Sequence, residues 1–380
     1  MVQKDITDLK IGVLGGGQLG RMMIQSAINY NLDISILDPD PNAPCAHLVK
    51  NFQVGKLTDS ALVYEWGKNF DLITIEIENV STEALKRLSE EGVAVYPQPE
   101  IIELIQDKRK QKNFYKDHEI PTAEFVLTDG KEDVQKHVEM LPAVSKLGTE
   151  GYDGRGVQII KDQNDLDKAF DKLGLLEKLI DFEKELSVIV ARNEKGDTKC
   201  FPVVELSFHP VHNLVEFLFA PAQISKDLEE KANNLAINVI EKLGLVGLLA
   251  VEMFLTKDGE ILVNEVAPRT HNSGHQTIEA NLTSQFEQHL RAILNLPLGS
   301  TEAISPSAMV NLLGEEQFTG NAKYEGLEAC MAMQGVYVHL YGKKQTKPFR
   351  KMGHITIVDE EIGSLKEKAR NVKELLKVKA

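Results

Sequence analysis

The fold of this chain is decided by residues 248–266, which read LLAVEMFLTKDGEILVNEV. Two apolar runs flank the Asp258-Gly259 pair, and Asp-Gly between such runs predicts a β-hairpin. If Asp258 and Gly259 form a two-residue loop, Glu252 faces Glu265 on the same side of the sheet. A three-residue loop would break this register.

The facing glutamates, Glu252 and Glu265, predict a metal site. Side chains at directly facing positions have Cβ atoms about 4.5–5.5 Å apart, and like charges there destabilise a sheet. Because the neighbouring residues are apolar, two ionised carboxylates need a compensating cation. Hard oxygen ligands from few protein groups suit Mg²⁺ that also carries a nucleotide phosphate. Two alternatives stay open: solvated glutamates on an exposed face, or a pair with one protonated carboxyl.

A polar loop, residues 267–275 (APRTHNSGH), follows the hairpin. His271 and His275 have the i, i+4 spacing of a helical zinc pair. However, Asn272 stands where that motif needs a catalytic glutamate, and a proline and a glycine in the stretch oppose a helix. Arginine, histidine and asparagine beside a metal-phosphate site predict a substrate cradle instead.

The N-terminal stretch predicts a parallel α/β layer, with strands at Lys10–Leu14 and Asp33–Leu37 and a helix between them. Glycines at 15, 17 and 20 match the dinucleotide fingerprint, and Asp38 stands where a ribose-binding acid is expected. A nicotinamide-dependent oxidoreductase is therefore a rival hypothesis. The same loop could bind another phosphate or be a tight turn without a ligand. The loop alone does not distinguish among these three alternatives.

A second glycine loop, residues 148–156 (GTEGYDGRG), follows Lys146. Several nucleotide enzymes cover phosphates with a glycine loop beside a lysine. Because Val157–Ile160 predicts a return strand, the loop is a hairpin turn, a phosphate lid, or both. Lys108 lies in a charged run, residues 107–112, and most of this run predicts a solvated helix face.

The composition is typical of a soluble globular protein of two or three domains: 380 residues, 42% hydrophobic and 26% charged. Forty-three basic against 57 acidic residues give a formal charge of −14, which disfavours nucleic-acid binding. No apolar run approaches the roughly 20 residues that cross a bilayer, so we expect no membrane association. Three scattered cysteines predict a reduced, cytoplasmic compartment.

The motifs, in this order, resemble the ATP-grasp enzymes and, among them, the N5-carboxyaminoimidazole ribonucleotide synthetase family. The stretches that carry the resemblance are GGGQLGRM at 15–22, GYDGRG at 151–156, ELSVIVAR at 185–192, NEVAPRTHNSGH at 264–275, YGK at 341–343 and RKMGH at 350–354. Each is weak evidence alone, whereas the ordered series is specific. The stretch at 207–213 departs from the family pattern and receives no role.

The resemblance implies a chain of the α/β class (α+β overall) with an ATP-grasp fold. A Rossmann-like preATP-grasp domain would span residues 1–100. A two-lobed ATP-grasp domain with a glycine lid near 148–156 would span 101–299, and a small β-rich C-terminal domain would span 300–380. Lysines and leucines at helical spacing predict a terminal amphipathic helix over Leu365–Val378.

The resemblance also implies the reaction. ATP, bicarbonate and 5-aminoimidazole ribonucleotide would give N5-carboxyaminoimidazole ribonucleotide, ADP and phosphate through carboxyphosphate, a step of de novo purine synthesis. ATP and Mg²⁺ would be the cofactors, and a homodimer coupled to a downstream mutase is expected. A sister ligase, such as a formate-using glycinamide ribonucleotide transformylase or a biotin carboxylase, would share the metal hairpin, but residues 269–275 speak against both.

Matching positions carry over the family's site residues. Nucleotide contacts are expected from Lys108, Lys146, Gly151, Gly154, Glu177 at the adenine hinge, Glu185 at the ribose, Asn264 and Glu265. The expected Mg²⁺ ligands are Glu252 and Glu265. Substrate contacts are expected from Gln18, Leu19, Glu76, Tyr152, Asp153, Arg155, His271, Asn272, Lys343 and Arg350, and the catalytic group comprises Tyr152, Asp153, Arg155, His271, Asn272 and Lys343.

Overall fold

The computed structural model describes residues 4–149, 156–208 and 215–380. Its N-terminal part alternates strands and helices, as predicted. The elements are β1 (Lys10–Leu14), α1 (Gln18–Ile28), β2 (Asp33–Asp38), β3 (Asn51–Val54), α2 (Ser60–Gly67), β4 (Leu72–Ile75), α3 (Thr82–Glu90), β5 (Ala94–Val95) and α4 (Pro99–Gln106). These five strands form a parallel sheet of order β3-β2-β1-β4-β5. β1, β2 and β4 are almost wholly buried apolar runs, because helices cover both faces of a parallel sheet.

A small antiparallel sheet follows. Its region contains α5 (Lys108–Asp117), β6 (Phe125–Thr128), α6 (Lys131–Gln135), β7 (Ala143–Leu147), β8 (Val157–Ile160) and β9 (Gly174–Lys178). The described strands are ordered β6-β9-β7-β8. β8 is the predicted return strand and pairs antiparallel with β7. The chain then passes from β9 into a larger sheet.

The larger sheet spans the second half of the molecule. Its first elements are β10 (Phe182–Arg192), β11 (Thr198–Cys200), β12 (Val204–Phe208), β13 (Val215–Ala220), α7 (Lys226–Leu243), β14 (Gly247–Thr256), β15 (Ile261–Ala267), α8 (Thr277–Ala280) and α9 (Gln285–Ile293). α7, α4 and α5 pack on one face of this sheet through a core that includes Leu186, Val188 and Val251.

The C-terminal part continues the same sheet. Its elements are β16 (Ser307–Leu313), β17 (Gly320–Asn321), β18 (Lys323–Glu325), α10 (Leu327–Met331), β19 (Val336–Leu340), β20 (Gln345–Thr346), β21 (Lys351–Val358), α11 (Ile362–Leu375) and β22 (Lys377–Lys379). Among the described residues the strand order is β15-β14-β10-β12-β13-β16-β21-β19, with β11 paired to β10. Because β13 pairs with β16, the sheet crosses the predicted boundary near residue 300.

The predicted terminal helix, Leu365–Val378, is partly wrong. α11 begins earlier, at Ile362, and ends at Leu375, and Leu376 already has an extended backbone. The last residues form β22, which pairs with β18, and its central residue Val378 is fully buried. The polar-apolar-polar order of Lys377–Lys379 suits a strand with one buried face. Among the described residues, no helix is both long enough and apolar enough to cross a membrane.

Candidate active site

The hairpin of β14 and β15 places Glu252 opposite Glu265, as the sequence predicts. The predicted two-residue loop is nevertheless wrong. The backbone N–H of Thr256 donates to the carbonyl of Glu260 (2.9 Å), which leaves a three-residue loop that ends in Gly259. Gly259 has φ +81°, a left-handed conformation that glycine adopts without steric cost.

A β-bulge restores the predicted pairing. Met253 pairs with Val263 near the turn, whereas Glu252 pairs with Glu265, so Asn264 is an extra residue on β15. Asn264 and Glu265 are consecutive, yet both accept hydrogen bonds from lysines of the site. The bulge therefore directs two neighbouring polar side chains to the face that carries Glu252.

The pKa values of the two facing carboxyls are shifted in opposite directions. Glu265 Oε2 accepts a hydrogen bond from Lys108 Nζ at 2.7 Å, and the lysine charge holds the pKa of Glu265 below its ordinary value against the effect of burial. Burial, together with the charges of Glu265 and Glu185, raises the pKa of Glu252. A divalent cation between them would let both carboxyls ionise, so the donor set fits Mg²⁺.

Two carboxylates alone do not complete a metal shell. Among the described residues, no cluster of three or more His, Cys, Asp or Glu side chains could hold a metal ion. The remaining ligands would have to come from phosphate oxygens or water, which is how Mg²⁺ commonly binds in nucleotide enzymes. Glu185 lies close by on β10, and burial raises its pKa to about 7, with the Glu265 charge acting in the same direction.

The loop after the hairpin brings His271 to the carboxylate pair. Its Nε2 lies 3.6 Å from Glu252 Oε1, and its Nδ1 lies 2.9 Å from Ser273 Oγ. Asn272 starts a short 3-10 turn, Asn272–Gly274, rather than a zinc-binding helix. The ring of His275 packs instead on that of His354, with centroids 4.6 Å apart. His271 thus lies beside Glu252 and His275 beside His354, and the substrate-cradle role of the loop stays a prediction.

Lys146, on β7, reaches the same face from the smaller sheet. Its Nζ donates to Asn264 Oδ1 at 3.2 Å and forms an ion pair with Glu177, a residue of β9. The second carboxylate oxygen of Glu177 pairs with Lys112. The adenine-hinge role of Glu177 stays a prediction, and its side chain is engaged by two lysines.

The first glycine loop is closed by the protein's own carboxylates. Glu76 Oε1 accepts from the backbone N–H of Leu19 (3.1 Å), and Asp38 Oδ2 accepts from that of Gly16 (2.7 Å). A Cβ added at Gly17 would lie 2.4 Å from Glu76 Oε1, so this carboxylate fills the space over the loop. A dinucleotide pyrophosphate would meet Glu76 where it needs free N–H groups, which argues against the oxidoreductase.

Glu76 itself stands at the carboxyl end of β4, where ligands bind in open α/β sheets. Burial raises its pKa to about 7, although the charges of Arg269 and Lys343 act against this shift. Lys343 Nζ donates to Gln18 Oε1 at 3.0 Å and to the Lys351 carbonyl at 2.8 Å. The N-terminal part, the hairpin loop and the C-terminal part therefore come together around Glu76 and Lys343.

Arg350 contacts the backbone of the C-terminal part. Its Nη1 donates to the Gln345 carbonyl at 2.8 Å, and its neighbour Lys351 is the residue that accepts from Lys343. Its predicted contact with a substrate phosphate stays a prediction. The predicted lid residues Gly151, Tyr152, Asp153, Gly154 and Arg155, like most of the unassigned stretch at 207–213, lie outside the described residues.

Sequence reasoning missed Lys112 and Gln285, which support this site, and predicted Arg269 only as part of the polar loop after the hairpin. Lys112 is 3% exposed, although its charged run predicts a solvated helix face. Arg269 pairs with Glu78 at 2.8 Å. Gln285, on α9, accepts from the backbone N–H of His271 (2.8 Å) and donates to its carbonyl (2.6 Å). For Lys112 a signal existed, because it follows Lys108 by one helical turn and so lies on the same helix face.

Three family models match consecutive parts of the chain. The ribonucleotide synthetase preATP-grasp domain matches residues 9–106, the ATP-grasp domain matches 113–286, and the phosphoribosylaminoimidazole carboxylase C-terminal domain matches 307–368. Together with the hairpin that carries the facing glutamates and the lysines beside it, these matches define an ATP-grasp protein.

Relatives cover nearly the whole chain. The N5-carboxyaminoimidazole ribonucleotide synthase of Bacillus subtilis is 38% identical over 92% of this chain and 91% of its own length. The chloroplastic phosphoribosylaminoimidazole carboxylase of Vigna aconitifolia is 40% identical, and the chain spans 65% of its length.

Solved structures agree with these relatives. The N5-carboxyaminoimidazole ribonucleotide synthetase of Thermotoga maritima is 45% identical, with a TM-score of 0.90 over 98% of this chain and 99% of that one. The Aspergillus clavatus N5-carboxyaminoimidazole synthase, in complex with ADP and 5-aminoimidazole ribonucleotide, is 32% identical, with a TM-score of 0.89 over 97% of this chain and 99% of that one. The chain belongs to the N5-carboxyaminoimidazole ribonucleotide synthase family.

Proposed function

We propose that the protein uses ATP and bicarbonate to carboxylate 5-aminoimidazole ribonucleotide, giving N5-carboxyaminoimidazole ribonucleotide, ADP and phosphate in purine synthesis. The observation that carries this proposal is the facing pair Glu252 and Glu265, set beside Lys108 and Lys146. Phosphoryl transfer needs little beyond positioning and charge neutralisation, and these groups supply both. The relative that contains ADP and 5-aminoimidazole ribonucleotide supports the choice of substrates.

The roles of individual residues follow from where they lie. Lys108 and Lys146 would draw the nucleotide phosphates to the carboxylate pair. Glu252 and Glu265 would hold Mg²⁺, which would neutralise the negative charge of the nucleotide phosphates. His271, 3.6 Å from Glu252, would stand where the nucleotide and the acceptor meet.

The acceptor would occupy the cleft between the first glycine loop and the C-terminal part. Gln18, Leu19 and Glu76 would contact it from the N-terminal part, and Lys343, which donates to Gln18, would contact it from the C-terminal part. Bicarbonate would attack the γ-phosphate of ATP and displace ADP, and the carboxyphosphate formed would transfer its carboxyl group to the exocyclic amine, with release of phosphate and a proton. A labile acyl phosphate requires exclusion of water, for which the glycine loop at 148–156 is the candidate lid.

The family resemblance also supports a homodimer that acts in the cytoplasm and passes its product to a mutase. Sedimentation of the purified protein tests the dimer directly. A mass of twice 42.3 kDa is expected, and a monomer at working concentration would remove this part of the proposal.

The test of the reaction is the dependence of ADP release on each substrate. We expect rapid ADP formation only when ATP, bicarbonate and 5-aminoimidazole ribonucleotide are all present, with one carboxylated product per ADP. Depleting bicarbonate by degassing, or omitting the ribonucleotide, should stop turnover. ATP turnover that is indifferent to the ribonucleotide would overturn the substrate assignment and leave the ATP-grasp fold unaffected.

A further inference from the structure

A buried lysine that the reaction scheme leaves without a role lies behind the phosphate-facing groups. Lys112 is on α5, one turn after Lys108, and is 3% exposed. Its ammonium forms an ion pair with Glu177, which is 4% exposed, and donates to Thr122 Oγ1. Burial lowers its pKa, with Lys146 and Lys108 acting in the same direction, whereas Glu177 favours the charged form.

The Glu177 carboxylate is shared between two lysines from different elements. One oxygen pairs with Lys112 and the other with Lys146. Two lysines and one glutamate leave one net positive charge in the group. Without Lys112, that carboxylate would cancel the charge of Lys146, which is the residue that reaches the metal hairpin through Asn264.

Packing alone does not account for a charge at this position. Removing a lysine from water is costly, and a buried ion pair is often no more stable than well-packed apolar residues of the same volume. α5 could fill the space with a methionine, which has a similar length and a good helix propensity. The charge is therefore expected to serve the site.

Lys112 is also linked, through Thr122, to the strand that bears Glu265. Thr122 Oγ1, which accepts from Lys112, donates to the Val263 carbonyl at 2.7 Å, and the Val263 N–H donates to the Pro121 carbonyl at 2.8 Å. Val263 is the residue just before the bulge. One ammonium thus contacts both Glu177, on the smaller sheet, and the segment that pairs with β15.

We propose that Lys112 is a positioning residue for nucleotide binding. It neutralises Glu177, so that Lys146 keeps its positive charge for the phosphates of the bound nucleotide. This inference rests on the proposed function only in that the site binds a nucleotide. It assigns to Glu177 an electrostatic role through its side chain, separate from any contact with the adenine.

The test is a charge cycle measured by calorimetry on the whole protein. Mg²⁺-ADP and adenosine, which has no phosphate, are titrated separately into wild type, Lys112→Met, Glu177→Gln and the double variant. Lys112→Met should weaken ADP binding about tenfold. This is the effect on affinity expected from losing one positive charge near the phosphates at an intermediate dielectric constant. The double variant again has one net positive charge and should bind ADP within about threefold of wild type.

Controls separate this role from a structural one. Adenosine affinity should be the same in wild type and Lys112→Met, because the proposal concerns the phosphates. Lys116→Met removes the same charge from the exposed face of α5 and should leave ADP binding unchanged. A double variant that binds ADP as weakly as Lys112→Met, or a parallel loss of adenosine binding, would overturn the proposal.

The same titrations distinguish the two proposals. If wild type failed to bind Mg²⁺-ADP, the proposed function would fail first. If wild type bound ADP and Lys112→Met bound it equally well, only the role of Lys112 would be lost. Urea midpoints of the four proteins report separately on folding, because a destabilised variant that still binds with the expected ratio supports the charge role.

Discussion

Glu265 and Glu252 face each other but respond differently to their surroundings, because only Glu265 has a lysine within hydrogen-bond distance among the described contacts. Its side chain is 45% exposed, against 17% for Glu252. Glu265, whose pKa the Lys108 charge lowers, is thus the carboxylate that is more accessible to an incoming cation. Glu252, which favours its proton, would ionise as the cation arrives.

Replacing Glu265 by glutamine should abolish ATP turnover. The change removes one of the two carboxylates and leaves Lys108 without its partner. We expect the rate of ADP release to fall more than about a hundredfold, because mutation of the outer-shell partners of metal ligands already lowers activity 10–100-fold. Binding of 5-aminoimidazole ribonucleotide, measured by calorimetry, should stay nearly intact.

The matched control is Glu260→Gln, an exposed glutamate on the same hairpin. It should keep wild-type turnover and the same Mg²⁺ dependence. Full ATPase activity in Glu265→Gln would show that the facing pair is not the metal site.

The sequence predicts single residues well where local pattern controls them and poorly where distant partners do. Glu252 and Glu265 follow from a hairpin whose two strands are adjacent in the chain. In the sequence Lys112 looks like a solvated charge, because its partner Glu177 is 65 positions further along the chain, on strand β9. Only the tertiary fold shows that this helix face is buried.

At the scale of elements, the hairpin shows how a correct contact can follow from an incorrect local geometry. The three-residue loop shifts the register by one, and the bulge at Asn264 shifts it back before Glu265 is reached. Turn chemistry in the sequence points to a hairpin but does not fix its loop length. The bulge lies next to a contact from outside the hairpin, the pairing of Thr122 with Val263, which no local pattern of the hairpin encodes.

The loop after the hairpin is held by close packing around Gly274. A Cβ at this position would lie 2.4 Å from Ile189 Cδ1 and 2.6 Å from Gln285 Cδ. We expect Gly274→Ala to destabilise the protein by about 1–3 kcal/mol, as overpacking commonly does. Because Gln285 brackets the backbone of His271, the change should also raise the KM for the ribonucleotide roughly ten- to hundredfold.

Steady-state kinetics with varied ribonucleotide, combined with urea denaturation, check this expectation. Gly363→Ala is the matched control, because nothing lies within 4 Å of a Cβ added at that position in α11. It should lose no stability and keep wild-type kinetics. A Gly274→Ala protein that is less stable but kinetically normal would mean that Gln285 does not position His271 for the substrate.

At the scale of the whole molecule, α9 joins parts that the predicted domain boundaries separate. Phe286, Leu290 and Ile293 of α9 pack into the core of the N-terminal sheet with Met22 and Met23 of α1. The order of three units along the chain could be predicted from motif order. The sequence could not predict that α9 completes the core of the first unit. An apolar helix face shows that the helix packs on something, but it does not identify the sheet that it packs on.

His289 makes this junction sensitive to acid. Its Nε2 lies 2.9 Å from Thr74 Oγ1 on β4, and burial lowers its pKa from 6.5 to about 4. The fold thus holds the neutral ring, while the unfolded chain takes up a proton as the pH falls below 6.5. The unfolding free energy is therefore unaffected by this group above pH 6.5. It falls progressively between pH 6.5 and pH 4, by about 3 kcal/mol in total.

Urea denaturation at pH 7 and at pH 5.5 measures this effect. Between these values wild type should lose about 1 kcal/mol more of its unfolding free energy than His289→Gln, whose amide can still bond to Thr74 but does not titrate. The control His47→Gln removes a histidine that is exposed, and hence solvated in both states, and should show the wild-type pH dependence. An identical loss in wild type and His289→Gln would mean that acid acts elsewhere, the buried His275 and His354 being the next groups whose pKa values burial lowers.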